Sequence, residues 1–366
     1  NGFVVLDANA DLAPDLLVWS KAGGKLFLNG KTETDCGLER VTNMVSVTPS
    51  DFDNDGATDL CVIQTSGVAL YRNVDGVFEK IDSTLPQQAF RSAVWLDYDH
   101  DYDLDLFLLG NASALFRNNG TAGFSDLTER FPFVNGEAIA GVQFDLVADT
   151  QGMDLAVVYT NRVGVLYRDG LAGKYEAQDL PELTGSHVVA FDFNHDGWTD
   201  LVGAGDDDVM LLMNDQDEGF VVQSMANDAR GPVVFADLEN RAVAELVAHE
   251  GVYRNLGLGK FGTVEKPVEF VPAHDWVAAD FDVDGHMDLA VLDMNGTVKR
   301  LDNRTETKHW LRVGLQGVKN LILAPSAEIE VKVGKQYQKK IYRGMPLLFG
   351  LGDKDQADAV RITWPN

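Results

Sequence analysis

The stretch DFDNDGATDL at residues 51–60 places Asp51, Asp53, Asp55 and Asp59 within nine positions. Two carboxylates about 5 Å apart, at an effective dielectric of about 20, repel by about 3 kcal/mol. A bound cation would turn that repulsion into attraction. Clustered hard oxygens suit Ca²⁺, which takes about six to eight of them. Counted from the first aspartate, side-chain oxygens stand at positions 1, 3, 5 and 9, with Gly56 at position 6 letting the backbone turn. The position-7 carbonyl, on Ala57, is expected to join them. An EF-hand begins in this way but needs an acid at position 12, where this chain has Val62. The alternatives are metal-free Asx turns and Mg²⁺.

The pattern recurs. DANADLAPDL supplies Asp7, Asn9, Asp11 and Asp15; DYDHDYDLDL supplies Asp97, Asp99, Asp101 and Asp105, with Asp103 at position 7. DFNHDGWTDL supplies Asp192, Asn194, Asp196 and Asp200, with the carbonyl of Trp198. DFDVDGHMDL supplies Asp280, Asp282, Asp284 and Asp288, with that of His286. About five Ca²⁺ ions are therefore expected. Leu12 stands where the first loop would want glycine, which predicts incomplete occupancy there. Two worn copies are expected to hold no metal. In one the acids thin to Asp145, Asp149 and Asp154; in the other Arg241 sits between Asp237 and Glu245, where a guanidinium could stand in for the ion.

The first aspartates of the seven copies fall 44, 46, 48, 47, 45 and 43 residues apart. A fixed period of this size signals a repeat architecture. In each unit an apolar run enters the acidic loop, and a short apolar strand such as DLCVIQ or DLFLLG leaves it. A third strand ends in Asn or Asp, as in LYRN, LFRN and LYRD, and a Gly-containing turn leads to a fourth. Short strands joined by Gly, Asn and Asp turns are hairpins. Four antiparallel strands per unit, seven times over, predict an all-β fold: a seven-bladed β-propeller spanning residues 1–303. A linear β-solenoid is the runner-up. The acidic loop then stops, and residues 304–366 carry 11 Lys or Arg against 6 Asp or Glu. Alternating strands there predict a small β-rich module, whose HWLRVGL segment could instead supply the outer strand of the last blade.

Asp and Glu outnumber Lys and Arg 57 to 30 in the 366 residues, a net charge of −27. Such a chain is a poor partner for nucleic acid or anionic lipid. No apolar run approaches the roughly 18 residues of a membrane span. Cys36 and Cys61 are expected to be two buried thiols. The chain starts directly in NGFVVLD, as a processed or trimmed product would.

The loops resemble those of the FG-GAP/VCBS repeat family, Ca²⁺-loop propellers related to integrin α-subunit heads. The resemblance covers residues 1–303. The tail resembles the ASPIC/UnbV C-terminal domain through HWLRVGLQG at 309–317 and FGLGDKDQADAVRITWP at 349–365, although LAPSAEIEV replaces that family's glycine-rich stretch. The resemblance implies a secreted, cell-surface or periplasmic binding scaffold, acting as a monomer on a protein or carbohydrate ligand.

The acidic loops lie on one face of a propeller, leaving the opposite face for ligand. Arg91, Glu137, His187, Arg230, His274 and Trp276 are expected to ring the mouth there. The scattered histidines assemble no Ser-His-Asp or Cys-His set, so the expectation is a non-enzymatic binding module. A lyase or hydrolase with its site in the central funnel is the alternative. Clustered His or Arg with a buried carboxylate in that funnel would favour it.

Overall fold

A computed structural model describes the chain except for residues 148–151, 181, 217–218, 226–228, 267–270, 272, 307, 319–320 and 366. Among the described residues there is no α-helix. Among those residues, six antiparallel sheets of four strands and a seventh of three follow one another along the chain. The second sheet is typical: Met44–Ser50, Asp59–Gln64, Gly67–Val74 and Val77–Ile81, each strand paired with the next.

The second strand of each sheet explains why the sheets gather. In Asp59–Gln64, Leu60 and Val62 enter the core shared with the first sheet, while Cys61 and Ile63 enter the core shared with the third. Side chains alternate across a strand, so a strand apolar on both faces needs a neighbour on each side. Asp105–Leu109 and Asp154–Tyr159 are likewise buried throughout. Seven cores join the sheets pairwise, and the last returns from the seventh to the first through Phe3, Leu16, Phe281 and Leu292. The ring is therefore closed, with first strands innermost. Cys36 and Cys61 are buried free thiols in two different cores.

The segment His309–Val313 does not complete the seventh blade. It pairs with Leu347–Gly352 inside the tail, because its apolar residues pack with Phe349 and Leu351 in the tail's own core. Among the described residues the seventh sheet keeps three strands, Ala273–Ala279, Asp288–Asp293 and Val298–Leu301. Face-to-face packing and polar contacts close the ring: Arg300 Nη1 donates to Asn29 O at 2.8 Å, and Lys31 Nζ lies 3.4 Å from Asp282.

The tail also holds a second sheet, in which Glu328–Val333 pairs with Gln336–Ile341 and Ala359–Thr363. It rests on the acidic-loop face. Ile322 N donates to Asn54 Oδ1 at 2.7 Å, Ser326 Oγ to Gln143 Oε1 at 3.1 Å, and Gly352 N to Asn240 O at 2.9 Å. Arg312 reaches Leu12 O, Tyr337 packs on Gly197, and Trp310 lies so close over Gly285 that any Cβ there would collide with its ring. Contacts to loops all round the ring make the tail a cap.

Candidate metal centre

The acidic loop joins the first and second strands, and its backbone is shaped by its own carboxylates. The position-1 aspartate accepts the amides of positions 5 and 6. For Asp51 these are Asp55 N and Gly56 N, both at 2.9 Å; Asp7, Asp97, Asp192 and Asp280 do the same at 2.9–3.2 Å. The position-5 acid accepts the position-7 amide: Asp11 from Ala13, Asp55 from Ala57, Asp101 from Asp103, Asp196 from Trp198 and Asp284 from His286. Positions 4 and 6 take positive φ, for instance Asn54 at 56° and Gly56 at 90°. The third loop puts Tyr102 at position 6 with φ 69°, a conformation L side chains adopt at a cost.

Position 9 opens the second strand and is buried. One oxygen of Asp59, Asp105, Asp200 and Asp288 accepts the amide of an asparagine at or just past the end of the third strand: Asn73, Asn118, Asn214 and Asn303, at 2.7–2.8 Å. Asp15 takes Asn29 N in the same way. Those asparagines also bind the blades together. Nδ2 of Asn73 donates to Ala8 O, of Asn118 to Phe52 O, of Asn214 to Leu146 O, of Asn255 to Phe193 O and of Asn303 to Leu238 O, each a carbonyl in the preceding loop. In the fourth blade Asp169 replaces the asparagine, and its Oδ2 lies 2.7 Å from His100 Nε2 of the preceding loop.

The loops do gather acids. Carboxylate oxygens of Asp51, Asp53 and Asp59 lie within 4.8 Å of one another, as do those of Asp97, Asp99 and Asp105, and of Asp280, Asp282 and Asp284. A further set joins Asp282 and Asp288 to Asp302. Asp55, Asp101 and Asp103 stand outside these triads. The first and fifth loops assemble no acidic triad, having Asn9 and Asn194 at position 3. Asp149 of the fourth loop lies outside the described residues.

Within the second cluster Asp59 Oδ2 is buried and has no hydrogen-bond partner; Asp53 Oδ1 and Asp99 Oδ1 are in the same condition. Burial first, then the neighbouring acids, pushes Asp59 up to about 8 and Asp51 to about 6. Asp105 and Asp200 also rise to about 8, and Asp192 to about 7, for the same leading cause. Hard oxygens turned inward without donors fit a divalent cation. Asp51, Asp53 and Asp59 would hold it in the second blade, and Asp97, Asp99 and Asp105 in the third.

Arginines near the ends of third strands join the loops, a role that the acidic pattern does not signal although YRN and FRN recur in the sequence. Arg72 Nε meets Asp53 at 2.6 Å, and Arg117 meets Asp99 and Asp101, each at 2.6 Å. Arg300, almost wholly buried, meets Asp282 at 2.8 Å and Asp288 at 2.9 Å. Where position 3 is Asp, an arginine accompanies it; where it is Asn, Leu28 and Met213 occupy the arginine's place. In the sixth loop Arg241 pairs with Glu245 and, at 2.8 Å, with Glu239. Asp237 still accepts the amides of Arg241 and Ala242.

On the opposite face Arg91 Nη2 meets Glu137 at 3.0 Å, bridging the third and fourth blades, and Arg230 pairs with Glu250. His274 is exposed. His187 is half-buried, 2.9 Å from Ser186 Oγ, and its pKa is lowered by burial and then by His274. Next to His274 on the first strand, burial pushes Asp275 up to about 6. Trp276 is not at the mouth. Strand alternation turns its ring into the core between the sixth and seventh blades, where it is 3 % exposed.

An FG-GAP-like repeat family matches residues 51–108, from the second loop into the third blade. No curated protein sequence matches the chain. A lectin from Agrocybe aegerita, solved for its specific recognition of non-reducing terminal N-acetylglucosamine, aligns with a TM-score of 0.58 at 15% identity, over 83% of this chain and 94% of the lectin. BBS1N, solved in complex with ARL6DN, aligns at 0.56 and 12% over 83% of this chain and 92% of its own. The extracellular domain of the one-component system BT4673 from B. thetaiotaomicron aligns at 0.53 and 10%, over 91% of this chain and 42% of that one. Identities this low speak for the fold alone. The chain is a β-propeller that carries an FG-GAP-like repeat at residues 51–108.

Proposed function

We propose that the chain is a non-enzymatic binding scaffold, stabilised by about five Ca²⁺ ions in its acidic loops and working outside the cytoplasm. One observation carries the calcium reading: Asp59 Oδ2, buried and without a donor, faces two further carboxylates in a loop whose backbone hydrogen bonds are already made. The ion would neutralise that cluster. Protein or carbohydrate would be recognised on the face opposite the loops, because the cap occupies the loop face. A lectin and a partner-bound propeller among the similar folds support a recognition role, and an extracellular domain among them supports the location. We assign residues 304–366 to an ASPIC/UnbV-like module on the motifs quoted above, and the propeller to residues 1–303.

The test is metal counting by mass spectrometry with thermal melts in Ca²⁺ and in chelator. About five ions per chain and a sharply lower melting temperature in chelator are expected. Asp59→Asn should remove one ion. A metal-free protein whose melt ignores chelator would sink the reading. A glycan array and a cell-surface protein capture, repeated with an Arg91→Glu variant, would test the opposite face.

One observation favours the enzymatic alternative: His187 and His274, from the first strands of two blades, are near enough for His274 to help lower the His187 pKa. A lyase or hydrolase activity abolished by His187→Ala would establish it.

A further inference from the structure

We propose that the central channel, beneath the cap, holds a small organic carboxylate anion on the guanidinium of Arg343. Arg343 lies in the tail between Gln336–Ile341 and Leu347–Gly352 and lines a cavity of 140 Å³ under the cap. Surrounding protein disfavours its charge, yet the side chain is exposed. Both fit a side chain that stands on the wall of an opening.

Arg343 makes no ion pair or hydrogen bond among the described residues. Its neighbours in the tail do. Lys339 meets Glu328 at 2.6 Å, Arg361 meets Glu330 at 3.2 Å, and Lys340 donates to Leu348 O at 2.7 Å. Among the described residues the acid on the cavity wall is Asp51, which accepts Asp55 N and Gly56 N and makes no ion pair with Arg343. A guanidinium stays charged, and protein around it with no counter-charge disfavours that charge. An anion in the opening would supply the counter-charge that the wall lacks.

The wall names the partner's class. Thr48, Ser50 and Gln143 add neutral polar groups, and Val5 and Ala93 add apolar surface. The planar fork of arginine matches a carboxylate with two parallel hydrogen bonds. A cavity of about 150 Å³ accommodates a molecule the size of benzene, so the acid should have a short, uncharged body.

The experiment is calorimetric titration of the calcium-loaded full chain with sodium butyrate, and with butyramide and sodium sulfate as comparisons. Saturable butyrate binding at one site per chain is expected, with none for butyramide. Arg343→Gln should weaken butyrate at least tenfold, the loss expected for hydrogen bonds to a charged group. Arg343→Lys, which keeps charge without the fork, should fall between. Thermal melts establish that each variant is folded; if Arg343→Gln is not, the lysine variant decides. Absence of butyrate binding, or equal binding by the variants, overturns the proposal. Sulfate displacing butyrate with higher affinity overturns the carboxylate assignment in favour of an inorganic oxyanion.

Discussion

The second and sixth acidic loops share a backbone and differ in what fills them. In both, the position-1 aspartate holds the amides of positions 5 and 6, within 2.7–2.9 Å. The second loop then turns Asp51, Asp53 and Asp59 inward with an orphaned oxygen. The sixth puts Arg241 among Glu239 and Glu245. The turn therefore needs no cation for its shape. What needs relief is the charge: the sixth loop relieves it from within, by a guanidinium, and the proposed ion would relieve the second from outside.

Breaking the internal solution should have the largest effect. Arg241→Met leaves Glu245, 5 % exposed, and its neighbours uncompensated. Removing one partner of a buried pair costs about 3–5 kcal/mol, to be read by denaturant unfolding. Arg241→Asp should convert the loop to the other kind, with a melting temperature that Ca²⁺ raises further than in the unmodified chain. A calcium response no larger than before would mean the two loops differ in more than charge.

The asparagine clamps should behave alike in both kinds of loop. Asn118→Ala strands the Phe52 carbonyl of the preceding blade and should cost about 1–2 kcal/mol, equally in Ca²⁺ and chelator. An effect present only in chelator would tie the clamp to the ion instead.

Acidity separates the loops as well. In chelator, the folded chain keeps protons on Asp59 and Asp105 up to about pH 8, and on Asp51 and Asp97 up to about pH 6. An unfolded aspartate loses its proton near pH 4. The folded state thus binds more protons, and stability should fall as pH rises from about 4 to 8. In Ca²⁺ the ion displaces those protons, so the stabilisation it adds should grow over the same range. Melting curves from pH 5 to 8.5 check both signs; the same slope with and without calcium would contradict the cluster's burial.

The smallest expected effect concerns Arg72. Its pair with Asp53 is roughly half exposed on the arginine side, so Arg72→Leu should cost only about 0.5 kcal/mol in chelator. It should also tighten Ca²⁺ at the second loop a few-fold, by freeing Asp53. Weaker calcium binding would make Arg72 a support of the site and not a rival for its charge.

Much of the site was legible in the chain because its parts are neighbours. Positions 1 to 9 form one hairpin loop, and covalent spacing alone brings Asp51 within reach of Asp59. The same locality let the strand order and the seven-fold count be read from hairpin turns and a regular period. Arg241 could be paired with Glu245 for that reason too. Three things were decided only by tertiary structure. Arg72, Arg117 and Arg300 approach their loops from another strand, and the asparagine clamps reach into a different blade. Trp276 belongs to a core whose second half comes from the sixth blade, so its apparent place at the mouth gave way to burial of a large ring. Finally, the tail folds back over the loop face of the ring, bringing Arg312 to Leu12 across 300 residues. Local spacing specifies a turn and its ligands; which distant surfaces meet depends on the apolar area that closing the whole ring leaves to be covered.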